Sequence, residues 1–187
     1  DVLAIMPTGG GKSLCYQIPA LVRPGLAIVV SPLIALIKDQ VDALRANGVA
    51  AAGLHSGLAR DELLEVYSQL WRGDLKLLYI APERILLPDF LARLQDLPLS
   101  LIAIDEAHCI SQWGHDFRPE YAELGRLKQL FPHIPIAALT ATADDATRID
   151  ILNRLGLHEP FVHLASFDRP NIRYTLVEKF KPSEQLL

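Results

Sequence analysis

Lys12 and Ser13 close the run MPTGGGKS (Met6 to Ser13), which follows the apolar stretch VLAI and opens an amphipathic one. Strand, glycine-rich turn and helix in that order are the setting a phosphate-binding loop needs. Gly9, Gly10 and Gly11 carry no Cβ, so successive N–H groups can turn inward around phosphate oxygens. The start of the following helix adds partial positive charge. In such a loop Thr8 and the three glycines line the phosphates of a nucleotide. Lys12 reaches the β- and γ-phosphates, and Ser13 ligates Mg²⁺. The strict pattern begins with Gly, and Met6 stands in its place. An ordinary glycine-rich turn is the alternative.

Such a loop needs a carboxylate on a neighbouring strand to hold Mg²⁺ through water. Asp105 directly follows the apolar run LIAI within LIAIDEAHCI. Glu106 is then placed to orient or deprotonate an attacking water. Carboxylates at the C-terminal end of a buried strand sit where α/β sheets bind ligands. Taken alone, Asp-Glu-Ala-His reads more readily as a solvated strand end, and its place at a strand tip after the glycine-rich loop favours the metal-holding reading. Thr140-Ala141-Thr142 also ends an apolar run and can serve as strand end plus helix cap. His108 is either a coupling residue or a satisfied buried histidine. Beyond it Trp113, Phe117 and Tyr121 recur every four residues with Arg118 among them, and Gly114 and Pro119 discourage a regular helix. Aromatic faces stack on unpaired bases, worth ~1–3 kcal/mol per base, and Arg can stack or bind phosphate. Core packing at helical spacing is the competing account, strongest for Tyr121.

Positioning these groups requires a frame, and the pattern supplies one. Strands are predicted at Val2–Ile5, Leu26–Val30, Ala51–Leu54, Leu77–Ile80, Leu101–Ile104 and Ile136–Thr140. Helices are predicted between them at Lys12–Val22, Leu33–Asn47, Arg60–Arg72, Tyr121–Phe131 and Asp144–Leu155. Several strands are apolar on both faces, as in a buried parallel sheet. Gly48, Gly73 and Gly156 stand where helix C-caps want positive φ, and Thr142 with Asp145 resembles a capping box. The alternation defines an α/β domain with a mostly parallel sheet and helices on both faces. From about Phe167 the chain turns more polar. Residues 1–166 are expected to form one domain, and 167–187 a junction into a further one.

The 18 Lys and Arg against 22 Asp and Glu give a net charge of −4, which argues against binding nucleic acid by bulk charge but not through a local patch. Cys15 and Cys109 read as reduced, mostly buried thiols, too few for a four-cysteine zinc site. No apolar run approaches the ~20 residues of a membrane span, and no membrane association is expected. The chain opens at Asp1 inside an apolar stretch and stops at Leu187 inside a helix-like one, which reads as a piece of a longer protein.

The phosphate loop, DEAH and the later Thr-Ala-Thr together resemble superfamily 2 helicases, and the wider text resembles the RecQ family. MPTGGGKSLCYQIPA, with Met6 included, is similar to that family's nucleotide loop. VVSPLIALIKDQV and YIAPERIL resemble its next motifs, and IDEAHCISQWGHDFRPEY resembles its DEAH box joined to an aromatic-rich loop. FDRPNIRY resembles the junction to a second motor domain. The resemblance implies a RecA-like domain that uses ATP and Mg²⁺. Lys12, Asp105, Glu106 and His108 would be catalytic, and Thr140 and Thr142 would couple the nucleotide and nucleic-acid sites. DNA contacts are implied at Trp113, Phe117, Arg118, Ser31, Lys38 and Arg84. It further implies 3'-to-5' movement on single-stranded DNA and unwinding of duplex DNA in repair and recombination, in the bacterial cytoplasm (nucleoid) or the eukaryotic nucleus. The partners implied are a second RecA-like domain of the same protein and, through other regions, a single-stranded-DNA-binding protein. The isolated chain is expected to be weakly active or inactive. RNA helicases of the DEAH group and a nucleotide-binding module without turnover are the competing classes.

Overall fold

The computed structural model describes residues 1–112, 116–166 and 175. Seven parallel strands form one sheet in the order β3-β4-β2-β5-β6-β1-β7, where β1 is Val2–Ile5, β2 Leu26–Val30, β3 Ala51–Leu54, β4 Leu77–Ile80, β5 Leu99–Ile104, β6 Ile136–Thr140 and β7 Phe161–Leu164. Every pairing is parallel, so all the strand C-termini lie along one edge of the sheet. Met6, Ser31, Asp105 and Thr140 each follow or end a strand on that edge. This is why residues distant in sequence converge there.

Eight helices cover the two faces among the described residues: α1 (Leu14–Val22), α2 (Ile34–Ala46), α3 (Arg60–Arg72), α4 (Pro82–Ile85), α5 (Pro88–Leu94), α6 (Pro119–Ala122), α7 (Gly125–Leu130) and α8 (Asp145–Leu155). A 3-10 turn, Ala107–Ile110, follows β5. Tyr16 and Ala20 of α1 and Ile37, Val41 and Leu44 of α2 pack on Ala27, Val29, Tyr79 and Ala103 of the sheet. The larger core lies on the opposite face, where Val66, Leu70, Phe90, Leu127, Ile151 and Leu155 bury Ile28, Leu78, Ile80 and Ile102. The strands β2, β4 and β5 are thus covered on both sides, which explains their unbroken apolar runs.

Several expectations need correction. The helix expected over Tyr121–Phe131 is two short ones, α6 and α7, and Pro119 starts the first at a position where its missing N–H costs nothing. The cap of α8 is Asp144, whose side chain accepts from the Thr147 amide at 2.8 Å, rather than a Thr142–Asp145 box. Cys15 is exposed, not buried; Cys109 is buried, and burial pushes its thiol up to about 11. The edge strand β7 and helices α4 and α5 were not anticipated. Gly73 and Gly156 do cap helices in left-handed geometry, with φ of 77° and 64°. No described helix is long and apolar enough to cross a membrane. The expected junction at 167–187 lies outside the described residues except for Thr175.

Candidate nucleotide and nucleic-acid site

The glycine-rich loop leaves β1 and turns sharply. Gly9 and Gly11 both have φ of 80°, a conformation costly for any residue with a Cβ. The Gly10 amide donates to the Pro7 carbonyl at 2.9 Å, and a Cβ on Gly10 would lie 2.9 Å from that same oxygen. Nothing stands within 4 Å of where a Gly9 Cβ would be, so the loop is open on that side. Lys12 donates to the Met6 carbonyl at 3.3 Å, folding its ammonium over the loop's own entrance. Ser13 sits at the head of α1. An open turn of backbone amides, an ammonium and a hydroxyl suits the phosphate tail of a nucleotide.

Asp105 stands at the end of β5, its amide donating to the Val30 carbonyl at 2.9 Å. Burial, then the adjacent Glu106 carboxylate, push its carboxyl up to about 6, while Lys12 and His108 pull the other way. The Ser13 hydroxyl and the Asp105 carboxyl are hard oxygen donors of the kind Mg²⁺ takes, so the donor set fits that ion.

Glu106 is one of two described non-glycine residues with positive φ (48°, ψ 44°). A side chain in that left-handed region costs of order 1–3 kcal/mol. The turn aims the Glu106 carboxylate at His108, whose Nδ1 lies 3.3 Å from it. The same Nδ1 lies 2.7 Å from the Thr140 hydroxyl. Thr140 is buried; its Oγ1 donates to the Thr142 carbonyl at 3.1 Å and accepts from the Thr142 amide at 3.3 Å. The direction of the short His108–Thr140 bond follows the imidazole tautomer. His108 Nε2 in turn lies 3.6 Å from the Asp116 carboxylate in the aromatic-rich loop. One imidazole thus touches the candidate base, the Thr-Ala-Thr segment and that loop.

The ends of the loop are tied down. The Ser111 hydroxyl donates to Asp150 of α8 at 2.9 Å, and Arg118 donates from its backbone to the Cys109 carbonyl at 2.9 Å. The Arg118 guanidinium donates to the Pro32 carbonyl at 3.1 Å, so in this conformation it joins the loop to the segment before α2. Tyr121 belongs to the core: it is fully buried, and its hydroxyl donates to the Asp105 carbonyl at 2.9 Å. Phe117 is half-buried, and Trp113 lies outside the described residues.

Of the remaining expected DNA contacts, Lys38 is exposed on α2 and Arg84 is half-buried on α4. Ser31 is 1% exposed and its hydroxyl has no partner among the described residues, so it presents no surface to DNA in this conformation. The burial follows from its place between β4 and β5, where its amide donates to the Ile80 carbonyl. A groove of about 760 Å³, with Lys38 on its wall, runs across the outer edge of β3 between α2 and α3, away from the glycine-rich loop, the carboxylates and His108. Volume therefore does not mark the site; the convergence of loop, carboxylates and His108 does.

A parallel sheet with a glycine-rich loop after β1 and Asp-Glu-Ala-His after β5 is the arrangement of a helicase-type RecA-like domain. The DEAD/DEAH box helicase family model matches residues 1–150. The chain is 62% identical to the ATP-dependent DNA helicase RecQ of Pasteurella multocida and 58% identical to that of Haemophilus influenzae, covering the whole of this chain but 29% and 30% of those proteins. It is 43% identical to the RecQ-like DNA helicase BLM of Xenopus laevis over 14% of that protein. The helicase domain of Pyrococcus furiosus Hef superposes with a TM-score of 0.64 at 22% identity, over 87% of this chain and 34% of that one, which shows the fold. The chain belongs to the DEAD/DEAH box helicases and, within them, to the RecQ family.

Proposed function

We propose that this chain is the ATP-hydrolysing half of a DNA motor whose aromatic-rich loop reports single-stranded DNA to the water-activating carboxylate. The single observation that carries this reading is His108, in contact with Glu106, Thr140 and Asp116 at once. Thr8 and Gly9–Ser13 cradle the phosphates, and Lys12 neutralises their developing charge. Mg²⁺, when bound by Ser13 and Asp105, supplies further electrostatic stabilisation of the transferring phosphoryl group. Glu106 orients water and accepts its proton, and His108 holds the Glu106 carboxylate in place. Bases stack on Trp113 and Phe117, Arg118 and the exposed Lys38 meet phosphate, and Arg84 adds a further contact. A second RecA-like domain completes the site. Translocation runs 3'-to-5', and the work done is strand separation in repair and recombination.

In the full-length protein, Trp113→Ala and Phe117→Ala should leave DNA-free ATPase within about twofold and blunt its stimulation by single-stranded DNA. Loss of one stack, ~1–3 kcal/mol, corresponds to roughly 5- to 150-fold if it all appears as affinity. Part of it will appear instead as lost rate at saturating DNA, because the loop transmits as well as grips. ATPase rate against oligonucleotide concentration, with DNA, RNA and neither, checks this. Full stimulation at unchanged half-saturation in both variants, or preference for RNA, would overturn the DNA reading.

A further inference from the structure

Four polar side chains beneath the phosphate loop take no part in the chemistry above. Gln17 of α1 donates from Nε2 to Gln40 Oε1 of α2 at 2.8 Å and to the Tyr79 hydroxyl of β4 at 3.0 Å. Tyr79 passes its own hydrogen to the Tyr16 hydroxyl at 3.5 Å, the two rings meeting edge to face at 67° and 6.3 Å. Both tyrosines are 1% exposed. The Tyr16 amide in turn donates to the Ser13 carbonyl at 3.3 Å.

Apolar side chains would hold α1 and α2 on this face equally well, and the rest of the contact is apolar. Burying hydroxyls and amides is costly unless each finds a partner. What they add is direction. Apolar contacts tolerate sliding, whereas a hydrogen bond weakens steeply once its angle and length are lost. This chain of bonds therefore fixes the register of three elements. Helix α1 continues from Ser13. Helix α2 carries Lys38 and begins just after Pro32, whose carbonyl holds Arg118. Strand β4 runs straight on to α4 and Arg84. Each of the three leads from a candidate nucleotide or nucleic-acid contact to the same buried junction.

We propose that Gln17, Tyr79 and Gln40, with Tyr16, form a positioning relay that keeps the nucleic-acid-facing segments on α2 and β4 in register with the Mg²⁺-binding end of the phosphate loop. The proposal rests on the DNA-motor reading above. None of the four touches substrate; they act through Ser13 on one side and through Lys38 and Arg84 on the other.

The test uses the full-length protein with Gln40→Leu, Tyr79→Phe and Gln40→Glu. ATPase is measured across ATP and single-stranded oligonucleotide concentrations, and each variant's thermal midpoint is recorded. Gln40→Leu and Tyr79→Phe should keep the DNA-free rate and the KM for ATP within about twofold and lose about five- to tenfold of the DNA stimulation, the effect of one net hydrogen bond. Gln40→Glu keeps an acceptor for Gln17 and should keep the stimulation. Gln40 is only partly buried, so its variants test the relay even if Tyr79→Phe folds poorly. Unchanged stimulation in Gln40→Leu overturns the relay, as does a parallel fall in DNA-free rate, stimulated rate and midpoint, the mark of a merely structural role. If the unaltered protein is stimulated and the variants equally so, the relay alone fails; if the unaltered protein does not respond to DNA, the motor reading fails and takes the relay with it.

Discussion

Glu106→Gln should lower ATP turnover of the full-length protein by about 10²- to 10⁴-fold, the range expected when a positioned proton acceptor is removed. The amide matches the carboxylate in shape and can keep the contact with the Thr140-bound His108, so the site stays assembled. It cannot take a proton from water. ATP should therefore remain bound with near-normal affinity while hydrolysis stops. Steady-state ATPase beside equilibrium binding of a fluorescent nucleotide separates the two effects. Turnover equal to that of the unaltered protein would show that another group activates the water.

Lys12→Ala should instead remove binding. Its ammonium now rests on the Met6 carbonyl at 3.3 Å, a neutral acceptor that a phosphate oxygen outcompetes. Charged hydrogen bonds are worth about 1.5–3 kcal/mol, so the loss of affinity for ATP should be about 10- to 150-fold, with adenosine binding unaffected. Calorimetric titration with ATP, ADP and adenosine checks this. Equal ATP affinity in both proteins would place the nucleotide elsewhere.

Much of this frame was legible before any coordinates because a parallel sheet buries its strands on both faces. LAIVV, LLYI and LIAI admit no reading as amphipathic helices, and each is followed within a residue or two by a turn or a charged residue. Strand β7 was illegible for the opposite reason: Phe161, Val162 and Leu164 remain exposed on the sheet edge, so their apolar pattern carries no burial signal. Helices α4 and α5 hid behind Pro82 and Pro88, which look like breakers but occupy first turns. The glycine-rich loop and the acidic pair were readable as candidates because each is contiguous in sequence. The His108–Thr140 contact was not, because it exists only through the pairing of β5 with β6. Tyr121 shows the limit of spacing: it shares the period of Trp113 and Phe117, yet the hydrogen bond to the Asp105 carbonyl places it in the core. The burial of Ser31 likewise depends on its strand's neighbours and leaves no mark on the local sequence.

The left-handed turn at Glu106 sets two selective pressures against each other at one codon. Glycine or asparagine there would relieve about 1–2 kcal/mol of backbone strain. A library enriched only for heat resistance should therefore drift toward those residues at position 106. It would discard the carboxylate proposed to activate water and so yield sturdier proteins without turnover. Engineering this domain for durability would have to hold that position constant and seek its gains elsewhere.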